Sequence, residues 1–175
     1  ALARLKSQHA DFVKLTASTL KPDLFLYAVS RAKALGFKTS AHIPLDVTVE
    51  QAVDAGLTSI EHISYAIKLG ARDEAEIVAD YRAGKINAAT AQARFVRDFD
   101  PKVARERYRW LASRGVFVTP TLYEMGPFDA AAHQHDSELK YIGPGLRETW
   151  VWRVERAQHQ TPQQRAAEKQ QFALK

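Results

Sequence analysis

The chain has 175 residues, of which 46% are hydrophobic and 26% are charged, the composition of an ordinary globular domain with a sizeable core. Its 25 basic and 20 acidic residues give a net charge of +5, but bases and acids alternate between Arg82 and Arg114, which indicates a solvated helical surface rather than a nucleic-acid interface. The sequence has no apolar run long enough to span a membrane, and the lack of cysteine excludes disulfides and thiolate metal sites.

The first 64 residues predict three strands that alternate with two helices. Residues 11–15 form a short strand candidate, and Lys21-Pro22-Asp23 then opens a helix that ends at Gly36. The apolar face of this helix is formed by Phe25, Ala28, Val29 and Ala32. Because strands and helices alternate, this part of the chain predicts a parallel sheet with helical crossovers.

Each of the next two predicted strands ends on a histidine, His42 and His62. The segment between them predicts one helix, with Thr48 and Gln51 as a capping box and Gly56 as its stop. Strands joined by one helix run parallel, so both imidazoles are expected at the carboxyl edge of one sheet. Ligands of α/β folds bind at that edge.

The pattern changes after Tyr65. Residues 66–99 predict a helical insertion, in which Ala91, Phe95 and Phe99 share one stripe. Asp100-Pro101 begins a further helix that stops at Gly115, and residues 116–123 predict a fourth strand.

The remainder of the chain predicts no strand. Residues 124–145 are rich in Gly, Pro, Asp and His and predict a loop, and residues 146–175 predict a helical C-terminal region. In that region Leu146, Trp150 and Val154 form one stripe, and Thr161 with Gln164 predicts a second capping box.

Four parallel strands with helical crossovers fit either half of a doubly wound sheet or a piece of a (β/α)₈ barrel of the TIM type. Length favours a piece of a barrel, since a complete one usually needs ~250 residues. We therefore expect residues 1–175 to form part of such a barrel domain.

Four motifs, each at the end of a predicted strand, resemble the middle of an amidohydrolase-superfamily barrel of the prolidase-like or imidazolonepropionase-like kind. They are Asp11-Phe-Val-Lys-Leu15, Ala41-His-Ile-Pro44, Asp54-Ala-Gly with Ser59-Ile-Glu-His62, and Val118-Thr-Pro-Thr-Leu122. The similarity covers about strands four to seven of that barrel, interrupted by the helical insertion.

The resemblance implies a hydrolase with one or two divalent metal ions. Lys14 matches the family lysine that is carboxylated and bridges two metals, and His42 and His62 match histidines that hold one of them. The family also uses a His-x-His pair from its first strand and an aspartate from its eighth, which serves as ligand and general base. This chain has no match to either, so those groups are expected outside it, and the chain alone is expected to be inactive.

The chemistry of the residues themselves agrees with such a site. Neutral imidazole binds zinc and similar metals, and two imidazoles from adjacent parallel strands can converge on one ion. An ammonium is repelled by a dication, so Lys14 can join only as a neutral amine or an anionic carbamate. Lys14 could instead extend into solvent from an edge strand, and this alternative stays open.

Three other features of the sequence are candidates for the site. Tyr65 and Tyr123 lie just beyond strand ends, where they could line a substrate pocket or pack under a loop. His133-Gln-His135 has the His-x-His spacing, but no apolar run precedes it, so we reject it as the missing pair.

Two function classes remain. One is a fragment of a metal-dependent amidohydrolase that hydrolyses the C–N bond of an amide, peptide-like or cyclic amide small molecule through a metal-activated water, with zinc as the expected metal. The other is a non-catalytic α/β binding module derived from such a barrel. Open sheet edges predict poor stability or self-association of the isolated chain, and no membrane or nucleic-acid partner is expected.

Overall fold

The computed structural model describes residues 1–16, 19–122 and 137–174. The chain divides into two compact units, one up to Leu122 and one that begins at Tyr123. The functional residues predicted above that the structure describes all lie in the first.

The first unit contains a four-stranded sheet with its connecting helices. Its strands are β1 (Phe12–Leu15), β2 (Lys38–Ala41), β3 (Ser59–Glu61) and β4 (Phe117–Thr119). Its helices are α1 (Leu2–Ser7), α2 (Pro22–Ala34), α3 (Val49–Ala55), α4 (Ile63–Ala66), α5 (Glu74–Arg82), α6 (Ala88–Arg97) and α7 (Pro101–Ser113). A 3₁₀ turn, Ile67–Gly70, joins α4 to the segment before α5.

The sheet is parallel throughout, in the order β1-β2-β3-β4. Lys14 is the register partner of Ser40, and Glu61 is the partner of Thr119. Spatial order follows chain order, as expected for strands joined by helical crossovers. The prediction of an α/β fold with a parallel sheet is therefore confirmed.

Helices cover one face of the sheet. Val13 and Leu15 of β1, Ala41 of β2 and Ile60 of β3 are buried against α2 and α3 in the main core. The opposite face carries exposed side chains, including Lys14, Phe12 at 56% and Phe117 at 74% exposure. Successive strand residues alternate between the faces, so this open face presents polar groups near the carboxyl edge.

Helix α3 begins and ends where its sequence predicts. Thr48 accepts from the main-chain nitrogen of Gln51, whose side chain accepts from the nitrogen of Thr48. Gly56 ends the helix at φ 115°, a backbone conformation that favours glycine. These local interactions fix the length of the connection between the two histidine-bearing strands.

Residues 66–99, all of which the structure describes, contain helices and one isolated bridge between Ala71 and Phe99, but no strand. Ile77 and Val78 of α5 pack with Ala91 and Phe95 of α6 in a separate apolar cluster. The segment therefore has a small core of its own beside the main one.

Strand β4 is shorter than predicted. The sequence predicts a strand over residues 116–123, whereas the observed strand ends at Thr119. Pro120 cannot donate to a ladder, and Thr121 has φ 47°, which is incompatible with an extended strand.

The second unit, over residues 137–174, is helical. It contains a 3₁₀ turn (Ser137–Tyr141), α8 (Pro144–Gln158) and α9 (Pro162–Ala173), and the predicted capping box at Thr161 is present. Two predictions were wrong here. The expected loop reaches residue 145, but the helical turn and the start of α8 lie within it, because Pro144 can open a helix at its first position. Leu146 is 66% exposed and not part of the apolar stripe, whereas Val154 is buried.

Among the described helices of both units, none is long and apolar enough to cross a membrane.

Candidate functional site

His42 and His62 follow directly after β2 and β3, and their imidazoles meet at the carboxyl edge of the sheet. The two Nε2 atoms are 3.1 Å apart, and the ring centroids are 4.9 Å apart. Both side chains are partly buried. The structure therefore brings together the pair that the sequence places at matched strand ends.

The other nitrogen of each ring also has a partner. His42 Nδ1 lies 2.9 Å from the carbonyl oxygen of Thr16, and His62 Nδ1 lies 2.8 Å from the hydroxyl oxygen of Thr121. A carbonyl oxygen only accepts, so we assign the proton of neutral His42 to Nδ1, which leaves a lone pair on Nε2. The hydroxyl of Thr121 can accept or donate, so His62 is free to present either a proton or a lone pair at Nε2.

Two of the three described non-glycine residues with positive φ meet at this contact, and the third is His9. His62 has φ 63° and ψ 133°, and its partner Thr121 has φ 47°. Positive φ is uncommon for residues other than glycine, and each such residue costs about 1–3 kcal/mol. In a regular strand Glu61 and His62 would point to opposite faces, and the left-handed backbone of His62 departs from that alternation. Strain of this kind clusters at functional sites.

Substitution at His62 tests the strain directly. We expect His62→Gly to be more stable than His62→Ala by about 1–3 kcal/mol, because glycine adopts positive φ without penalty. His42 is the matched control, since it is not among the described residues with positive φ. At this position His42→Ala should be more stable than His42→Gly. Urea unfolding of the four variants measures both differences, and the same order at both positions would contradict a strained His62.

Lys14 contacts a carboxylate on the open face of the sheet. Its Nζ donates to Glu61 Oε2 at 3.1 Å, while Ser40 donates to Glu61 Oε1 at 2.6 Å. The hydrogen bond from Ser40, followed by that from Lys14, holds the pKa of Glu61 below its ordinary value against the opposing effect of burial. The Lys14 side chain is 41% exposed. The structure thus joins Lys14 to the residue before His62, and it shows no direct contact between Lys14 and either imidazole.

Tyr65 forms one wall beside the histidines. Its ring stacks on that of His42 at 5.3 Å between centroids and 11° between planes, and it lies 6.2 Å from the ring of His62. A half-buried aromatic ring here limits access to the imidazoles from that side. Tyr123, the other aromatic candidate, lies outside the described residues, as do His133 and His135.

The imidazole pair fits a divalent metal. Zinc–nitrogen bonds of about 2.0–2.1 Å place two ligands of a tetrahedral site roughly 3.3 Å apart, close to the observed separation of the Nε2 atoms. Metal-bound histidines usually donate their second nitrogen to an oxygen, as His42 does to Thr16. Among residues 1–16, 19–122 and 137–174, no three His, Asp or Glu side chains form a group that could hold a metal ion. The two imidazoles by themselves do not complete the coordination shell of a metal ion.

Sequence reasoning missed three residues that orient this site. Glu61 and Thr121 lie within the motifs that carry the resemblance, but nothing in the motifs assigned them a role. Thr16 contributes only a main-chain carbonyl, which no residue type predicts.

Comparisons with protein-family models, with curated proteins and with solved structures found no match to this chain.

Proposed function

We propose that this chain is the central segment of a metal-dependent amidohydrolase, in which His42 and His62 hold one divalent ion, zinc or a similar metal. The observation that carries the proposal is the 3.1 Å approach of two Nε2 atoms at the ends of adjacent parallel strands. The Nδ1 contact of His42 directs the lone pair of its neutral ring to this point.

The sheet agrees with a larger barrel. Four consecutive parallel strands in chain order, with helices on one face and an open opposite face, are what strands four to seven of a (β/α)₈ barrel would present. Active sites of such barrels lie at the carboxyl ends of the strands, where the histidines of this chain are found. Residues 66–99 are an insertion within this proposed barrel.

A bound divalent ion would polarise a carbonyl oxygen and lower the pKa of a bound water, as hydrolysis of an amide, peptide-like or cyclic amide C–N bond requires. The chain's own residues would bind and orient: His42 and His62 as ligands, Thr16 and Thr121 as partners that fix the rings. Tyr65 would border the small-molecule substrate. The general base, an aspartate, is proposed to lie outside this chain.

Lys14 is the third proposed metal ligand, in carboxylated form. As an ammonium, Lys14 pairs with Glu61. A nearby divalent ion would repel the ammonium, so this pairing is favoured over direct contact between Lys14 and the metal. A carbamate would reverse the charge of this side chain, so Lys14 would have to leave Glu61 to join the imidazoles. The two states of Lys14 therefore have different neighbours.

Metal titration tests the proposal. We expect the chelator-treated chain to bind Co²⁺, with displacement by Zn²⁺, and His42→Ala and His62→Ala each to weaken binding by at least about 10- to 100-fold, the loss that even outer-shell changes cause. His159→Ala is the control, because His159 Nδ1 contacts the carbonyl of Glu155 in the second unit. No turnover is expected from this chain alone.

Equal Co²⁺ affinity of the wild type and of a variant lacking both His42 and His62 would refute the proposed ligands. The non-catalytic binding module would then be the better hypothesis, and a small molecule or protein would be expected to bind without metal.

A further inference from the structure

A buried lysine, Lys68, lies between the segments that leave the two histidine-bearing strands. It belongs to the 3₁₀ turn after α4, and α4 begins directly after His62. The residue is only 3% exposed. Its Nζ donates to the carbonyl oxygens of Pro44 at 3.2 Å and Leu45 at 3.4 Å, and also to that of Val47.

The three acceptors match the donor capacity of the side chain. An ammonium has three N–H donors and no acceptor, and here each donor has one carbonyl. The acceptors belong to residues 43–47, which form neither helix nor strand and so lack a regular ladder for their carbonyls. Buried carbonyl groups require a donor, and Lys68 donates to three in this segment, of which that of Pro44 also accepts from the N–H of Val47.

Nearby groups offset part of the cost of burying the charge of Lys68. Glu74 of α5 and Asp46 both favour its charged form, and the ring of Phe95 from α6 lies 5.4 Å from Nζ. Glu74 itself accepts from Val49 at the start of α3 and from Arg107 of α7. Since every donor is engaged, the geometry favours a role in positioning over one as a reactive amine.

We propose that Lys68 is a positioning residue for the imidazole pair. It ties the segment after His42 to the turn that follows His62, and so it fixes the separation of the two Nε2 atoms. The expected change in Co²⁺ affinity rests on the proposed function, whereas the expected change in the imidazole spectra of the metal-free protein does not.

The experiment compares the wild type, Lys68→Met and the control Lys102→Met, which removes an exposed lysine of α7. Long-range ¹H–¹⁵N spectra of the metal-free proteins report the tautomer and order of each imidazole. We expect Lys68→Met to change the signals of both His42 and His62, and to lower Co²⁺ affinity about tenfold or more with an altered visible spectrum. Lys102→Met should match the wild type in both measurements.

Unchanged imidazole spectra in Lys68→Met would overturn the inference. If the wild type fails to bind Co²⁺, the proposed metal site is wrong, but the imidazole spectra still decide the role of Lys68.

If Lys68→Met does not fold, amide hydrogen exchange in the wild type replaces it. Coupling between two sites is reciprocal, so metal loading should slow exchange at Val47, whose N–H donates to Pro44, more than at Phe25 in α2. Equal effects at both amides would contradict the proposed coupling.

Discussion

Glu74→Ala is expected to lower the free energy of unfolding by about 3–5 kcal/mol, because it removes a buried carboxylate that has charged partners. Glu74 is 3% exposed, and its two carboxylate oxygens accept from Val49 N at 2.9 Å and Arg107 Nη1 at 3.2 Å. Its charge also favours the buried ammonium of Lys68. Truncation would remove one of the two acids that favour this cation and would leave the first N–H of α3 without its acceptor, and both changes are costly in the interior.

Glu76→Ala is the matched control for this prediction. It removes the same residue type two positions along α5, where the side chain is 66% exposed and pairs with Arg94. Exposed ion pairs contribute about 0–1 kcal/mol, so this variant should remain close to the wild type. Urea unfolding followed by circular dichroism measures both variants. Equal losses for Glu74→Ala and Glu76→Ala would show that the buried cluster contributes no special stability.

The stability of the wild type relative to Lys68→Met is expected to rise by about 3 kcal/mol between pH 8 and pH 10.5. Burial lowers the pKa of Lys68 from 10.5 to about 8, although Glu74 and Asp46 oppose the shift. In this pH window the unfolded chain therefore binds more protons at Lys68 than the folded chain does. Stability rises with pH wherever the unfolded state binds more protons, which fixes the sign.

Urea unfolding at several values from pH 7.5 to pH 10.5 tests this dependence. Subtracting the curve of Lys68→Met removes the contributions of other groups that titrate at alkaline pH, and Lys102→Met shows what the loss of an exposed lysine does. A difference between wild type and Lys68→Met that stays constant with pH would mean that burial does not lower the pKa of Lys68.

Local interactions made much of the fold predictable. Helix α3 is bounded by a capping box at Thr48 and by Gly56, and α7 begins at Asp100-Pro101, all within a few residues of sequence. The predicted apolar face of α2 follows the helical period, and three of its four residues, Phe25, Val29 and Ala32, are buried. Propensity and periodicity act over short distances, so the sequence expresses them directly.

The site depends on contacts between distant residues. Strand ends placed His42 and His62 at one edge, but their approach also requires the left-handed backbone of His62 and its contact with Thr121, 59 residues away. If β3 continued regularly, the side chains of Glu61 and His62 would point to opposite faces of the sheet. Positive φ is uncommon at residues other than glycine, so the local sequence does not predict it at His62.

The sequence by itself determined the order of helices and strands, the parallel sheet and the edge that carries the histidines, because caps, stops and hydrophobic periods are local. Only the tertiary structure decided that Lys68 is buried beneath three carbonyls and that Glu74 lies in the interior, since a charged residue in a helical segment ordinarily predicts a solvated surface. Whether a charge is buried depends on partners supplied by other elements, and the chain brings those partners together only when it folds.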